Sequence, residues 1–104
     1  MLKRSILIEN KSQLHTRNLQ LIIKTDSREA SIPIEDIGYL VIDHQESYIS
    51  LPALNTLIEN NTAVIICGKS HLPNGLFLNL NSHHIQQEVF KHQIDASMPL
   101  KKKL

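Results

Sequence analysis

The sequence predicts an α+β domain that is mainly β, in which a β-sandwich-like unit with one short helix leads into the start of a helical domain. Three observations predict it. The chain has 104 residues, which is enough for one domain. Short runs rich in Ile and Leu alternate with polar turns, a pattern typical of strands. Within residues 1–80, one stretch places its apolar residues at helical spacing.

Seven runs are predicted as strands, and turn-forming residues set their borders. The polar residues 10–18 predict a turn, and residues 25–27 predict a hairpin turn because Asp and Ser bond their own backbone there. Pro33 lacks a backbone N–H and indicates an edge strand or a strand end. Residues 37–43 are apolar nearly throughout, as in a strand buried on both faces. The predicted strands are residues 2–9, 19–24, 29–34, 37–43, 47–50, 63–67 and 76–78, and the early hairpins favour antiparallel pairing.

Two helices are predicted. Ser50 is a plausible N-cap and Pro52 fits the first turn, so residues 51–60 form an amphipathic helix with apolar residues three and four apart. Ser82 is placed to cap a second helix over residues 83–98, which Pro99 would end.

Charge is nearly balanced, which excludes a nucleic-acid binder that relies on bulk positive charge. The net charge is +1, and it depends on the three consecutive lysines 101–103. Local clusters are the remaining candidates for phosphate contacts, against the alternatives of solvated loops or lysines that favour a helix dipole. The candidates are Lys11, His15, Arg17, Lys69, His71, Lys101, Lys102 and Lys103.

The cysteine count and the hydropathy predict a cytoplasmic protein. Cys67 has no second cysteine with which to form an internal disulfide, and its place at the end of an apolar strand predicts a buried, inert thiol. No apolar run reaches the roughly 18 residues of a membrane span, and no signal peptide is recognisable. We expect no membrane partner.

Two groups of residues resemble a metal site or an acid–base pair, and both have simpler explanations. His84, Glu88 and His92 recur every four residues, as on one side of a helix, and could ligate a metal ion in an autonomous hydrolase. A solvated helix face explains the same spacing. Asp43 and His44 are adjacent on a strand and point to opposite faces, so we expect no acid–base pair.

The stretch from residue 60 to residue 82 is unusually poor in charge, with Lys69 as its only formal charge. Such a stretch is core or interface. We predict that residues 63–66 and 76–80 form core, with part of them available for a dimer face.

Four collinear segments closely resemble the N-terminal region of the CRISPR-associated spacer-acquisition endonuclease, the integrase of CRISPR adaptation, in its type II form. They cover nearly the whole chain, which makes the resemblance more specific than one motif would be. The segments are residues 32–45 (Ile-Pro-Ile-Glu-Asp-Ile-Gly, then Val-Ile-Asp-His-Gln), 57–65 (Leu-Ile-Glu-Asn-Asn-Thr-Ala-Val-Ile), 69–73 (Lys-Ser-His-Leu-Pro) and 92–102 (His-Gln-Ile-Asp-Ala-Ser-Met-Pro-Leu-Lys-Lys).

The resemblance implies an N-terminal β-domain over residues 1–80, with residues 81–104 as the linker and first helix of a helical domain. In this family the helical domain holds a magnesium or manganese site built from Glu, His and Asp. The N-terminal domains form a homodimer, which assembles with a small second CRISPR protein on a double-stranded DNA protospacer. The segments with the metal ligands are absent here, so no catalytic residue is transferred and the chain alone is expected to be inactive.

The resemblance therefore implies a dimerisation and protospacer-positioning domain without chemistry of its own. The alternative is a stand-alone β-rich interaction module that only oligomerises or binds protein. The downstream reading frame distinguishes them, because a helical continuation with the three metal ligands decides for the first.

Overall fold

Eight strands, one helix and one 3-10 turn make up the part of the chain that the computed structural model describes, residues 3–80. The strands are β1 (Arg4–Ile8), β2 (Gln13–Arg17), β3 (Gln20–Lys24), β4 (Glu29–Pro33), β5 (Ile37–Ile42), β6 (Tyr48–Ile49), β7 (Ala63–Cys67) and β8 (Pro73–Phe77). The 3-10 turn spans Ile34–Asp36, and the helix α1 spans Leu51–Glu59. The mainly β prediction is confirmed.

One four-stranded sheet, which we call sheet B, has the strand order β4-β3-β2-β6. β2, β3 and β4 form an antiparallel meander, and β4 with Pro33 lies at the edge, as predicted. The turn predicted for residues 10–18 is wrong, because residues 13–17 form β2. Its backbone pairs on both sides with β3 and β6, and Leu14 is buried on the core side. A two-residue turn at Asn18 and Leu19, with φ angles of 53° and 58°, then closes the β2–β3 hairpin.

The second sheet, sheet A, has the order β1-β5-β7-β8. β1, β5 and β7 are parallel to one another, and β8 is antiparallel to β7. The antiparallel pairing predicted for the early hairpins is confirmed for β2, β3 and β4, whereas β1 pairs in parallel. Burial of β5 on both faces is also wrong, since Tyr39 is 54% exposed. One side of sheet A faces the core, and nothing among the described residues covers the other.

The helix α1 begins where local sequence predicts. The Ser50 side chain accepts a hydrogen bond from the backbone N–H of Ala53 at 3.2 Å, and Pro52 lies in the first turn. Asn60 is the C-cap, and Thr62 then donates its buried hydroxyl to the carbonyl of Ile37 at 2.8 Å. This bond ties the chain after the helix to the start of β5.

The core lies between the two sheets and is aliphatic. Its members come from both sheets, from the 3-10 turn and from α1: Ile8, Leu14, Leu21, Ile34, Ile37, Leu40, Ile42, Leu57 and Val64. Residues 63 and 64 are buried as predicted, but the core prediction for residues 76–80 is wrong. β8 begins at Pro73, earlier than predicted, lies at the edge of the sheet, and has all five of its residues exposed.

Several predictions fall on residues 81–104 and lie outside the described residues. They are the second helix over 83–98, the 81–104 domain segment, the His84–Glu88–His92 constellation and the three terminal lysines. Within residues 3–80, no helix is both long and apolar enough to cross a membrane.

Candidate nucleic-acid interface

The side of sheet B that faces away from the core is polar. Cross-strand register places Gln13 opposite Lys24, His15 opposite Ile22 and Arg17 opposite Gln20, all on this side. Directly opposed side chains in an antiparallel pair lie about 5 Å apart at Cβ, so these groups form one surface. We call it the polar face of sheet B, and its members are Gln13, His15, Arg17, Gln20, Ile22, Lys24, Glu29, Ser31, Pro33 and Tyr48.

The charges of this face are mostly positive. Arg17 and Lys24 are exposed, and His15 is half-buried between them. Across residues 3–80 the only ion pair joins His71 to Asp43, so neither Arg17 nor Lys24 has a carboxylate partner within 4.0 Å. Glu29 stands opposite Lys24 on β4 and is the one carboxylate in register with the face. The face therefore has cationic groups that can turn towards phosphate.

The polar face of sheet B also contains a buried isoleucine, a side-chain hydrogen bond and one aromatic ring. Ile22 lies on this side and is only 3% exposed. Ser31 on β4 donates a hydrogen bond to the side-chain carbonyl of Gln20 on β3. Tyr48 is the single aromatic residue of the face and is 64% exposed. With one ring available, the surface suits phosphate contact better than serial base stacking.

Lys11 lies beside the polar face of sheet B, in a loop that hydrogen bonds hold in place. The backbone N–H of Ser12 donates to Ser47 Oγ at 3.1 Å, and the hydroxyl of Ser12 donates to the carbonyl of Asn10 at 2.9 Å. These bonds fix the crossing from β1 to β2. Lys11 and Lys24 then line one shallow cleft of about 240 Å³, together with Asp26.

Lys69 and His71 lie elsewhere, at the carboxyl end of sheet A. Because β1, β5 and β7 are parallel, the residues that follow them meet at one edge, where Glu9, Asp43 and Glu46 surround Lys69. His71 Nδ1 is 2.9 Å from Asp43 Oδ1, and its side chain is 76% exposed. This edge is acidic overall, which disfavours phosphate.

Asp43 and His44 do not contact each other, as the sequence predicts. Asp43 contacts His71, and His44 Nδ1 accepts the backbone N–H of Glu46 at 3.3 Å. Cys67 is 4% exposed, and burial, followed by the negative charge of Asp43, raises the pKa of its thiol. The prediction of a buried thiol is confirmed, and a raised pKa makes it a poor nucleophile.

In the described region no three His, Cys, Asp or Glu side chains converge as a metal site would require. The magnesium or manganese that the family resemblance implies has no ligand set within residues 3–80, and we derive no step through it. Of the polar face, His15 and Arg17 are singled out from the sequence, and the other members, including Lys24 and Tyr48, are missed. Lys24 and Tyr48 both lie opposite Gln13, so their positions follow only once β2 is recognised as a strand. The one sequence pattern that indicates β2 is the alternation between Leu14 and Thr16.

Fold and site together define a two-sheet β-domain with a basic polar face and, in its described part, no catalytic cluster. Residues 6–104 match the model described as CRISPR associated protein Cas1, and the chain belongs to this family.

A curated relative and two solved structures agree with this assignment. The chain is 35% identical over 101 residues to a CRISPR-associated endonuclease Cas1 from Neisseria meningitidis serogroup C (strain 8013), covering 97% of this chain and 33% of the relative. It therefore spans about a third of that relative, at its N-terminal end.

Solved structures share the fold at lower identity. A crystal structure of a TtCas1–DNA complex matches with a TM-score of 0.65 and 17% identity, over 73% of this chain and 28% of that one. A partial Cas6-RT-Cas1–Cas2 complex matches with a TM-score of 0.65 and 22% identity, over 75% of this chain and 24% of that one.

Proposed function

We propose that this chain is the dimerisation and protospacer-positioning part of a CRISPR adaptation integrase, and that it contacts duplex DNA through the polar face of sheet B. One observation carries the proposal: β2 and β3 align Arg17 and Lys24 on a single outward face, with His15 between them and no carboxylate paired to either cation. Phosphate contacts from such groups position a duplex without reading its sequence.

The comparisons support this role without extending it to chemistry. One matched structure is named as a DNA complex and another as a complex with Cas2. By analogy, we propose as partners a duplex protospacer, a second copy of this chain and the small second CRISPR protein. The curated relative is named an endonuclease, and the chain covers 33% of it. Nuclease and integrase activity, with magnesium or manganese, we assign to the complete family member. The single cysteine fits the cytoplasmic location that we propose.

The other basic candidates are expected to contribute to DNA contact to different degrees. Lys11 borders the face and extends it. Lys69 and His71 contribute less, because Glu9, Asp43 and Glu46 surround them. Lys101, Lys102 and Lys103 stay in the proposal as a sequence-based prediction, since they lie at the end of segment 81–104, which we assign to the linker and first helix.

The proposal is tested by the salt dependence of duplex binding, measured by fluorescence anisotropy on the full chain. Each phosphate contact contributes about 0.9 to the slope of log K against log salt. Arg17→Gln and Lys24→Gln should each lower the slope by about one and weaken binding to all sequences alike. Lys69→Gln removes the same charge from the acidic edge and serves as the matched control, with a smaller change expected. Deletion of residues 101–104 in the same assay measures the contribution of the three lysines.

Two outcomes contradict the proposal. If Lys69→Gln lowers the slope and Arg17→Gln does not, the polar face of sheet B is not the DNA surface. If the chain pairs but does not bind duplex at low salt, the alternative of a protein-only interaction module is correct. The exposure of Leu7, Tyr39 and Leu76 on the outer side of sheet A is the observation that favours this alternative.

A further inference from the structure

Asn74 and Gly75 form the only Asn-Gly pair of the sequence, and both lie exposed in β8. Glycine has no Cβ, so its backbone nitrogen is the least shielded neighbour that an asparagine side chain can have. The surroundings of this pair are open as well, because a Cβ added to Gly75 would meet no heavy atom within 4 Å. The Asn74 carboxamide is therefore next to a nitrogen that it can reach, in a place that water can enter.

The backbone of β8 is irregular at Asn74. Ile66 pairs with Gly75 and Cys67 pairs with Pro73, so Asn74 is the extra residue of a bulge. A regular extended strand holds the Cγ of an asparagine away from the nitrogen that follows it, and a bulge departs from that geometry. β8 is also the last strand of sheet A and pairs only with β7. A strand that is held on one side opens at a lower free energy than a central strand, which lets the two atoms approach each other.

The side-chain amide of Asn74 is not held by a hydrogen bond to any of the residues 3–80. Gln45, at the same end of β7, differs in this respect, because its amide donates to the carbonyl of Cys67 at 3.0 Å. The carboxamide of Asn74 instead lies over Gly68, with its Nδ2 at 3.5 Å from the place that a Cβ on Gly68 would take. It can therefore turn towards Gly75 without the loss of a hydrogen bond.

We propose that Asn74 is a modification site, at which spontaneous deamidation converts the carboxamide to a carboxylate. The backbone nitrogen of Gly75 attacks Asn74 Cγ, so that an N–Cγ bond forms and the Cγ–Nδ2 bond breaks. Ammonia leaves with the proton of the Gly75 nitrogen, and a succinimide ring remains. Water then opens the ring at either carbonyl, which gives aspartate or isoaspartate. The reaction consumes only water, involves no oxidation or reduction, and is independent of DNA contact.

The product adds a negative charge where sheet A is already acidic. Asn74 and Gly68 line a cleft of about 220 Å³ together with His44. Gly68 and His44 also line the neighbouring cleft, which contains Asp43 and Glu46. A carboxylate at position 74 therefore lies near like charges, which raises the free energy of the folded chain. Isoaspartate also lengthens the backbone of β8 by a methylene group and disturbs its pairing with β7.

Mass spectrometry of the full chain during incubation in mildly alkaline buffer tests the site. Peptide mapping should show conversion at Asn74 at least about tenfold faster than at Asn18, which corresponds to about 1.4 kcal/mol of activation free energy. Asn18 is the internal reference, because it is exposed in a turn but is followed by Leu19, whose side chain shields the attacking nitrogen. A methyltransferase specific for isoaspartate should label the peptide that contains position 74.

Gly75→Ala is the matched variant. Gly75 has no positive φ and an added Cβ meets no neighbour, so the fold is kept, which circular dichroism verifies. The methyl group shields the nitrogen, and conversion at Asn74 should slow by about tenfold while Asn18 reacts at its wild-type rate. The proposal is overturned if Asn74 reacts equally fast in Gly75→Ala and in the wild type, or no faster than Asn18. An Asn74 that stays unmodified in the full chain also overturns it.

The effect on the acidic edge is tested with Asn74→Asp, which reproduces the charge of one product. Its melting temperature at low salt should lie about 3 °C below that of the wild type, and the difference should shrink at high salt because salt screens the repulsion. Asn18→Asp adds the same charge to the turn between β2 and β3 and is the control, with no such decrease expected. Equal melting temperatures of Asn74→Asp and the wild type at low salt would overturn the proposed effect on the edge.

Discussion

Cys67 ends β7 with its thiol enclosed beside the acidic edge of sheet A. Burial and the negative charge of Asp43 raise the pKa of this thiol, because both disfavour the thiolate. The unfolded chain therefore releases the proton first as the pH rises above 9.0, the ordinary value of the group. Stability contributed by the protonated thiol is complete below this pH and is lost as the pH rises from it through the folded pKa.

We expect a measurable pH signature from this residue. As the pH rises above 9.0, the free energy of unfolding in urea should fall more steeply for the wild type than for Cys67→Ala, because the unfolded chain releases the thiol proton first. The comparison of slopes removes the contribution of Tyr and Lys residues that titrate in the same range. Parallel curves for the two proteins would contradict the assignment. The native thiol should also react slowly with a disulfide reagent at pH 8.

At the scale of the elements, local signals account for what the sequence predicts well. The helix α1 follows from Ser50, Pro52 and the apolar spacing, all within one segment. The same reasoning does not predict β2, because Leu14 is its only fully buried residue and its other side is the polar face. The parallel pairing of β1 with β5 joins residues more than thirty apart, which no local period reveals. Lys24 and Tyr48 were missed for the same reason, since only cross-strand register brings them to Gln13.

The cap of α1 offers a test of this local account. Ser50→Ala removes the acceptor for the Ala53 N–H and should lower the free energy of unfolding by about 1 kcal/mol. Ser50→Asp keeps an acceptor at the N-cap and serves as the control, with stability close to wild type. Thermal and urea denaturation followed by circular dichroism measure both. Equal losses in the two variants would show that the hydroxyl acts through packing and not as a cap.

At the scale of the whole molecule, the two sheets differ in charge. The polar face belongs to sheet B, the acidic edge belongs to sheet A, and the aliphatic core lies between the sheets. Deamidation at Asn74 would add to the negative charge of sheet A and leave the polar face unchanged. The near-zero net charge of the chain does not reveal this division, because it counts the acidic edge of sheet A together with the cations of sheet B. A charge count alone therefore underestimates the capacity for DNA contact.

The role of sheet B in DNA contact is tested most directly by one comparison, the salt dependence of duplex binding in wild type, Lys69→Gln and Arg17→Gln. The account predicts that Lys69→Gln, which removes a charge from the acidic edge of sheet A, keeps most of the wild-type slope. Arg17→Gln should lose about one unit of slope. A Lys69→Gln chain that loses the slope, or an Arg17→Gln chain that retains it, would contradict the claim that sheet B contacts DNA.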